Sequence, residues 1–389
     1  MRKSRALLAY VGPKSRDLGY KLEEFVSLVE VAGFDVADLV TQYDKPDTRF
    51  YLGAGKAREV AGRDFDVFIA YHSLTPLQTF NLEKLFSRRV LDRIHVILII
   101  FEKRAGSIES KLQIELARLR YELPKIKEYL RRAKMGEQLG FMGAGEYIID
   151  SYYRHMLKRI STIRRKLEEV RRSRLMHIKK RKDVGIPEVV ITGYTSAGKT
   201  TLFNRLVGEE KLVDGRPFAT LETYSRALDL WGKKVVITDT IGFIDDLPPI
   251  LVESFRSTLQ EIVDADAVLL VVDGSEPPEE VTRKIETSLE TLSEVGVAKE
   301  KIIPVVNKID KVASVRAVRD IVGKYFTWFV PISALTGFGI EALKAVLFFK
   351  VPGYVIQRLH NSDGVRGLKV GDVTFVAIPQ NVYKHSSDA

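Results

Sequence analysis

The sequence predicts an α/β chain in three parts: a small N-terminal domain with a parallel sheet, an antiparallel coiled-coil helical hairpin, and a larger α/β domain with a mostly parallel sheet. Three observations predict it. Apolar, β-branched runs alternate with helix-length segments over roughly the first hundred residues. Two heptad seams follow, one on each side of a glycine-rich stretch. From residue 188 onward, strand-like runs again end in polar or glycine-rich loops, the pattern of an open α/β fold.

In chain order, Ala6–Val11, Asp35–Val40, Val67–Tyr71 and His95–Phe101 read as buried strands. Leu18–Ala32, Ala54–Ala61 and Pro76–Arg89 read as the helices between them, and this alternation implies parallel strands with helices packed against the sheet. Gly53-Ala-Gly-Lys56 looks like part of a phosphate loop, but Phe50 stands where the first glycine is needed, so it reads as a strand-to-helix turn. Leu112, Leu116, Leu119, Leu123, Ile126 and Leu130 then form one heptad seam, with a kink expected at Pro124. Ile149, Tyr153, Met156, Ile160, Ile163, Leu167 and Val170 form the second, and Gly136–Gly145 reads as the turn that folds the two arms together. The expected divisions are residues 1–103, 104–182, 183–350 and a C-terminal segment 351–389, in which only Val373–Ile378 reads as a strand.

A chain of 389 residues, 45% of them hydrophobic, can build two or three ordinary cores. It has no run of eighteen apolar residues and no secretory cleavage pattern at its start, which points to the cytoplasm and away from membranes; a monomer is the expectation. The absence of cysteine excludes disulfides, thiolate nucleophiles and the usual zinc and iron–sulfur sites. With six scattered histidines, a metal would be held by oxygen, which favours a hard cation such as Mg²⁺. The net charge of +10 is concentrated: residues 154–182 carry thirteen Lys or Arg against Glu168 and Glu169, so this stretch alone is +11. Such a segment favours a polyanion, and Arg164, Arg165, Lys166, Arg171, Arg172 and Arg174 are its candidate phosphate contacts.

The chemistry lies in the third part. Glu188-Val-Val-Ile-Thr runs into Gly193-Tyr194-Thr195-Ser196-Ala197-Gly198-Lys199-Thr200 and then a helical pattern, which is the strand–loop–helix context of a P-loop. Its glycines allow backbone N–H groups to surround a β-phosphate, Lys199 can reach the β- and γ-phosphates, and the Thr200 hydroxyl can coordinate Mg²⁺. A second strand ends in Asp239-Thr240-Ile241-Gly242, where the carboxylate can hold Mg²⁺ and the Gly242 amide can sense a γ-phosphate. Two more strand ends follow. Asn307-Lys308-Ile309-Asp310 offers a carboxylate for guanine N1–H and the exocyclic amine, and Ser333-Ala334-Leu335 a backbone amide for guanine O6. Between the first two motifs, Pro217–Thr223 reads as a switch loop, with Thr220 as second Mg²⁺ ligand and Thr223 as the competing choice. Together these motifs imply a P-loop GTPase (Ras-like) domain that binds GTP·Mg²⁺ between Gly193 and Leu335. The position after Gly242, where many GTPases carry a water-orienting glutamine, is Phe243, so slow unaided hydrolysis and a stimulating partner are expected.

The motifs Gly193-Tyr-Thr-x-Ala-Gly-Lys, Phe218-Ala-Thr-Leu, Asp239-Thr-Ile-Gly-Phe-Ile, Leu247-Pro and Phe255-Arg-Ser-Thr-Leu259 resemble those of the HflX GTPases, as does Gln113-x-Glu115-Leu-Ala-x-Leu in the first arm. The resemblance covers about residues 1–350. It implies nucleotide contacts at Gly193–Thr200, at Phe218, Ala219, Thr220, Leu221 and Glu222, at Asp239–Gly242, Asn307–Asp310 and Ser333–Leu335. It also implies a translation-associated GTPase on the large ribosomal subunit, with splitting, rescue or stress roles. Ser196 stands where the family often has asparagine, and the hairpin turn Gly140-Phe-Met-Gly-Ala-Gly-Glu146 departs from the family pattern. The competing reading is an RNA- or protein-binding module in which hydrolysis is a slow timer. A lipid-surface role for the basic helix is disfavoured, because its apolar face is already a heptad seam.

Overall fold

The structure is a computed structural model that describes residues 3–135, 146–183, 185–209, 224–245, 256–360, 366–370 and 373–380. The chain divides into two compact units, the first running to Glu169 and the second starting at Val170.

In the first unit, β1 (Arg5–Val11), β2 (Asp35–Gln42), β3 (Val67–Ala70) and β4 (Arg89–Asp92) form an all-parallel sheet in the order β2-β1-β3-β4. Helices α1 (Leu18–Val31), α2 (Ala54–Ala61) and α3 (Pro76–Phe86) are the crossovers. The central strands are buried along nearly their whole length, as expected when helices cover a parallel sheet. Gly53 is the N-cap of α2, so the glycine tetrapeptide starts a helix.

One expectation is corrected. His95–Phe101 is not a strand but lies within helix α4 (Arg93–Arg104), and the fourth strand is the short Arg89–Asp92 before it. Asp92 caps this helix, accepting from His95 N at 3.2 Å. Ile94, Val96, Ile97, Leu98, Ile100 and Phe101 are all buried, so an apolar run enclosed on every side carried no period that could separate helix from strand.

Helix α5 (Ile108–Lys134) starts at the Ser107 cap and continues without a break through Pro124. Its residues Tyr121, Lys125 and Tyr129, four apart on one face, fasten it to the sheet domain. Tyr121 donates to Asp92, Lys125 pairs with Glu83 at 2.7 Å, and Tyr129 also donates to Glu83. Helix α6 (Glu146–Asp183) is the second arm. Leu112, Leu116 and Leu119 pack with Met156, Ile160 and Ile163 in one buried cluster, with Leu123, Ile126 and Leu167 at its margin, so the two seams meet as read. Arg159 crosses the seam in a two-pronged pair with Glu115 at 2.6 and 2.7 Å. Arg164, Arg165, Lys166, Arg171 and Arg172 face solvent, whereas the Arg174 side chain and the turn at 136–145 lie outside the described residues.

In the second unit, β5 (Glu188–Thr192), β6 (Tyr224–Leu230), β7 (Lys233–Asp239), β8 (Ala267–Asp273), β9 (Ile302–Asn307) and β10 (Val330–Pro331) form a sheet in the order β10-β9-β8-β5-β7-β6. Only β6 is antiparallel. Helices α7 (Lys199–Val207), α8 (Arg256–Asp264), α9 (Pro278–Val295), α10 (Val315–Val322) and α11 (Ile340–Lys350) accompany it. One core gathers side chains of α7 and α11, and a second gathers those of α8, α9 and α10.

The C-terminal segment contains more than the single strand expected. β11 (Tyr354–His360), β12 (Leu368–Val370) and β13 (Val373–Pro379) make an antiparallel sheet in the order β11-β13-β12. Its Ile356, Phe375 and Ala377 pack on the α7–α11 core. Just before this sheet the chain is held by Lys233 of β7, fully buried, whose Nζ donates to the carbonyls of Phe348 (2.9 Å) and Val351 at the end of α11. Burial pushes the Lys233 ammonium down to about 8.

Two outcomes follow. The unfolded chain holds the Lys233 proton up to its ordinary value of 10.5 while the folded chain releases it near 8, so stability should rise between those pH values. Denaturation midpoints across that range should show this rise in the parent protein and a flatter profile in Lys233→Met. In the hairpin, Ile163→Ala should cost about 2–4 kcal/mol, because Ile163 is fully enclosed, while Leu157→Ala on the exposed face should cost less than about 0.5 kcal/mol, as read by guanidinium denaturation of the full chain.

Candidate functional site

Strands β5, β7, β9 and β10 run parallel, so the loops after their carboxyl ends emerge on one edge of the sheet. These are the loops that hold the four motifs. β5 sits between β7 and β8, which places the P-loop beside the Asp239 loop.

The P-loop turns through Gly193 (φ 136°) and Gly198 (φ 92°), both in backbone conformations that disfavour a side chain. A Cβ on Gly198 would stand 2.3 Å from Asn307 Nδ2, so that close approach also requires glycine. Ser196 is left-handed as well (φ 62°) and exposed. Helix α7 begins at Lys199. The Lys199 ammonium is buried and donates to Tyr194 O at 2.7 Å; burial pushes it down to about 8, with Asp239 acting in the opposite direction. A Cβ on Gly242 would lie 2.6 Å from the Lys199 Nζ, so the lysine head packs directly against Gly242. Beside them, Thr200 Oγ1 donates to Asp239 Oδ2 at 2.8 Å, and both residues are buried. Thr240 faces inward, its hydroxyl donating to Ile191 O at 2.8 Å.

The P-loop and the Asp239 loop are also paired through their backbones. Phe243 N donates to Gly193 O at 3.0 Å and Thr195 N donates to Phe243 O at 2.8 Å, a parallel bridge between Tyr194 and Phe243. The Phe243 ring lies in the core with Val190, Ile262 and Val268. Tyr194 extends the joint: its hydroxyl accepts from Asp245 N (3.1 Å) and from Arg283 of α9 (3.3 Å).

At the other end of the site, Asn307 joins two loops. Its Nδ2 donates to Ala197 O at 2.8 Å and its Oδ1 accepts from Ala334 N at 2.9 Å. Lys308 is left-handed (φ 60°) and pairs with Asp273 at 2.5 Å. Ile309 N is held by Ile332 O at 3.1 Å, and Asp310 is exposed at the rim. Ser333 and Ala334 are buried and Leu335 is exposed; the Ser333 hydroxyl accepts from Thr336 N at 3.1 Å.

Thus Gly193–Thr200, Asp239–Gly242, Asn307–Asp310 and Ser333–Leu335 come together at one edge. Phe218, Ala219, Thr220, Leu221 and Glu222 lie outside the described residues, as do Leu247 and Phe255. Sequence reasoning missed Arg205, Arg283 and Asp245. Arg205, on the outer face of α7, donates to Ala334 O (3.1 Å) and Leu335 O. Nothing but its place in Asn204-Arg205-Leu206, one helical turn and a half beyond Lys199, signalled this.

The arrangement can hold a phosphate chain at the start of α7 and a planar base between the Asn307 and Ser333 loops. Comparison with known proteins points to the same class of protein. Three family models match: a GTP-binding GTPase N-terminal region at residues 19–102, a GTP-binding GTPase middle region at 104–181, and a 50S ribosome-binding GTPase at 188–308. The GTPase HflX of Thermofilum pendens is 47% identical over 75% of this chain and 70% of its own length. That of Hyperthermus butylicus is 40% identical over 83% of this chain and 90% of its own. A solved GTP-binding protein of Sulfolobus solfataricus in complex with GDP is 30% identical, over 88% of this chain and 97% of that one, with a TM-score of 0.46. With these relatives spanning most of its length and the four motifs converging at one sheet edge, the chain belongs to the HflX family of GTPases and is an enzyme that binds GTP and hydrolyses it.

Proposed function

We propose that this GTPase works on the large ribosomal subunit, in splitting, rescue or a stress response, and that contact with the subunit stimulates a slow intrinsic hydrolysis. The observation that carries the proposal is the cation row Arg164, Arg165, Lys166, Arg171 and Arg172, exposed on an arm whose apolar face is already packed against its partner helix. Such a row suits a phosphate-rich surface. The description of the matching family model, a 50S ribosome-binding GTPase, supports the same partner. Slow unaided turnover follows from Phe243, whose buried ring cannot orient water. In this reading the chain is organised as 1–103, 104–182, 183–350 and 351–389, with the hairpin as the RNA-facing part.

Within the site, Gly193–Thr200 would wrap the phosphates, with Lys199 on the β- and γ-phosphates and the Gly242 amide as γ-phosphate sensor. Thr200 and Asp239 supply oxygen donors of the kind Mg²⁺ takes. Among the described residues no group of three or more His, Asp or Glu could hold a metal, so phosphate oxygens, water and Thr220 would complete the set. Mg²⁺ bound there would neutralise charge developing on the β- and γ-phosphate oxygens. Asp310 would accept the guanine N1–H and 2-amino protons.

That last role has a chemical signature. Asp310→Asn replaces an acceptor-only group with one that also donates, so GDP affinity should fall by at least about 30-fold, the worth of roughly 2 kcal/mol, while xanthosine diphosphate binding improves. Equal loss for both nucleotides in calorimetry would place Asp310 elsewhere. For the partner, GTP hydrolysis with purified large subunits should rise about tenfold or more. The rise should vanish when Arg164, Arg165, Lys166, Arg171 and Arg172 are changed to Gln, with Lys199→Ala as the blank. Full stimulation of that variant would separate the basic arm from the ribosome.

A further inference from the structure

We infer that Arg205 is a positioning residue for guanine selectivity, aiming the peptide group that reads O6 of the base. The inference rests on the proposed role of the Ser333–Leu335 loop at guanine O6. Ala334 N already donates to Asn307 at 2.9 Å, so the next amide, Leu335 N, is the loop donor that no protein acceptor claims among the described residues. A trans peptide is planar, with its C=O and N–H pointing in opposite directions. Arg205 Nε donates to Ala334 O at 3.1 Å, which is the carbonyl of that same peptide unit. Holding the oxygen on one side therefore sets the direction of Leu335 N–H on the other.

Arg205 Nη2 fixes the following peptide through Leu335 O, and the Ser333 hydroxyl holds the opposite end of that peptide at Thr336 N, 3.1 Å away. Two consecutive peptide planes are thus locked from outside the site. The planar, forked guanidinium suits this task because it can reach both carbonyls from one rigid group. Its origin adds to the argument. Arg205 stands on the helix that opens with Lys199, so the element at the phosphate end also sets the loop at the base end. Arg205 is solvent-exposed, so its removal leaves no cavity in the core.

The test uses the full chain and three nucleotides at pH 7: GDP, inosine diphosphate, which lacks the 2-amino group, and 6-thio-GDP, which has a poor acceptor in place of O6. In the parent protein GDP should bind more tightly than either analogue. In Arg205→Ala, GDP and inosine diphosphate should both weaken about tenfold, as expected for one misdirected hydrogen bond, so their ratio stays constant. Affinity for 6-thio-GDP should change by less than about threefold, closing its gap to GDP. Arg205→Lys, which can still reach one carbonyl, should recover part of the gap. Equal weakening of all three nucleotides, or no weakening of any, would overturn the inference. If the parent does not distinguish GDP from 6-thio-GDP, the loop itself does not read O6, and both readings fall.

Discussion

The nucleotide site depends on one buried amide. Asn307 is almost fully enclosed, and its two ends are committed to different loops, Ala197 of the P-loop and Ala334 of the base loop. An enclosed amide with both ends satisfied competes with no water and holds its partners at fixed separation, whereas an asparagine with one end orphaned would cost about 1–3 kcal/mol. The glycine at 198 follows from it, since a Cβ there would stand on the Asn307 Nδ2. Asn307 is thus the spacer that ties the P-loop to the Ser333 loop.

The same economy explains Phe243. The residue after Gly242 is paired through its own backbone with Gly193 and Thr195, which extends the sheet by one bridge and turns its side chain into the core beside Val190 and Ile262. A glutamine there would bury an amide among apolar side chains with no partner, again at about 1–3 kcal/mol. The hydrophobic residue is therefore a condition of the bridge. A loop pinned in this way keeps Gly242 beside Lys199 and places no water-orienting side chain at position 243.

How much was legible in the sequence follows from what kind of signal each feature carries. The four nucleotide motifs were readable because each places a special residue, a glycine, lysine or carboxylate, at a strand end where its chemistry needs it. The hairpin was readable because its seams repeat at heptad spacing and its Leu112 and Ile163 clusters meet. The helix over Arg93–Arg104 was misread because burial on all sides erases periodicity, and only the Asp92 cap distinguishes it. The C-terminal sheet was invisible beyond one strand: β12 has only three residues, and β11, though seven long, mixes polar and charged residues with only partly buried apolar ones, which leaves little pattern. Arg205 and Arg283 escaped for another reason: each acts on backbone or on a partner distant in sequence, and an arginine on a helix face announces neither.

Arg283 shows what such unannounced residues do. On α9 it pairs with both Glu280, at 2.6 Å, and Asp245, and it donates to the Tyr194 hydroxyl, which also receives Asp245 N. Thr287, one turn farther along α9, donates to the same Asp245 at 2.8 Å. Asp245 stands three residues after Gly242. Its carboxylate is gripped by two residues of one helix, while its backbone N–H donates to a tyrosine of the P-loop itself. The charges in this cluster are enclosed, so they bind strongly only in the geometry that satisfies all of them. The P-loop, the segment after Gly242 and α9 are thereby tied at one joint.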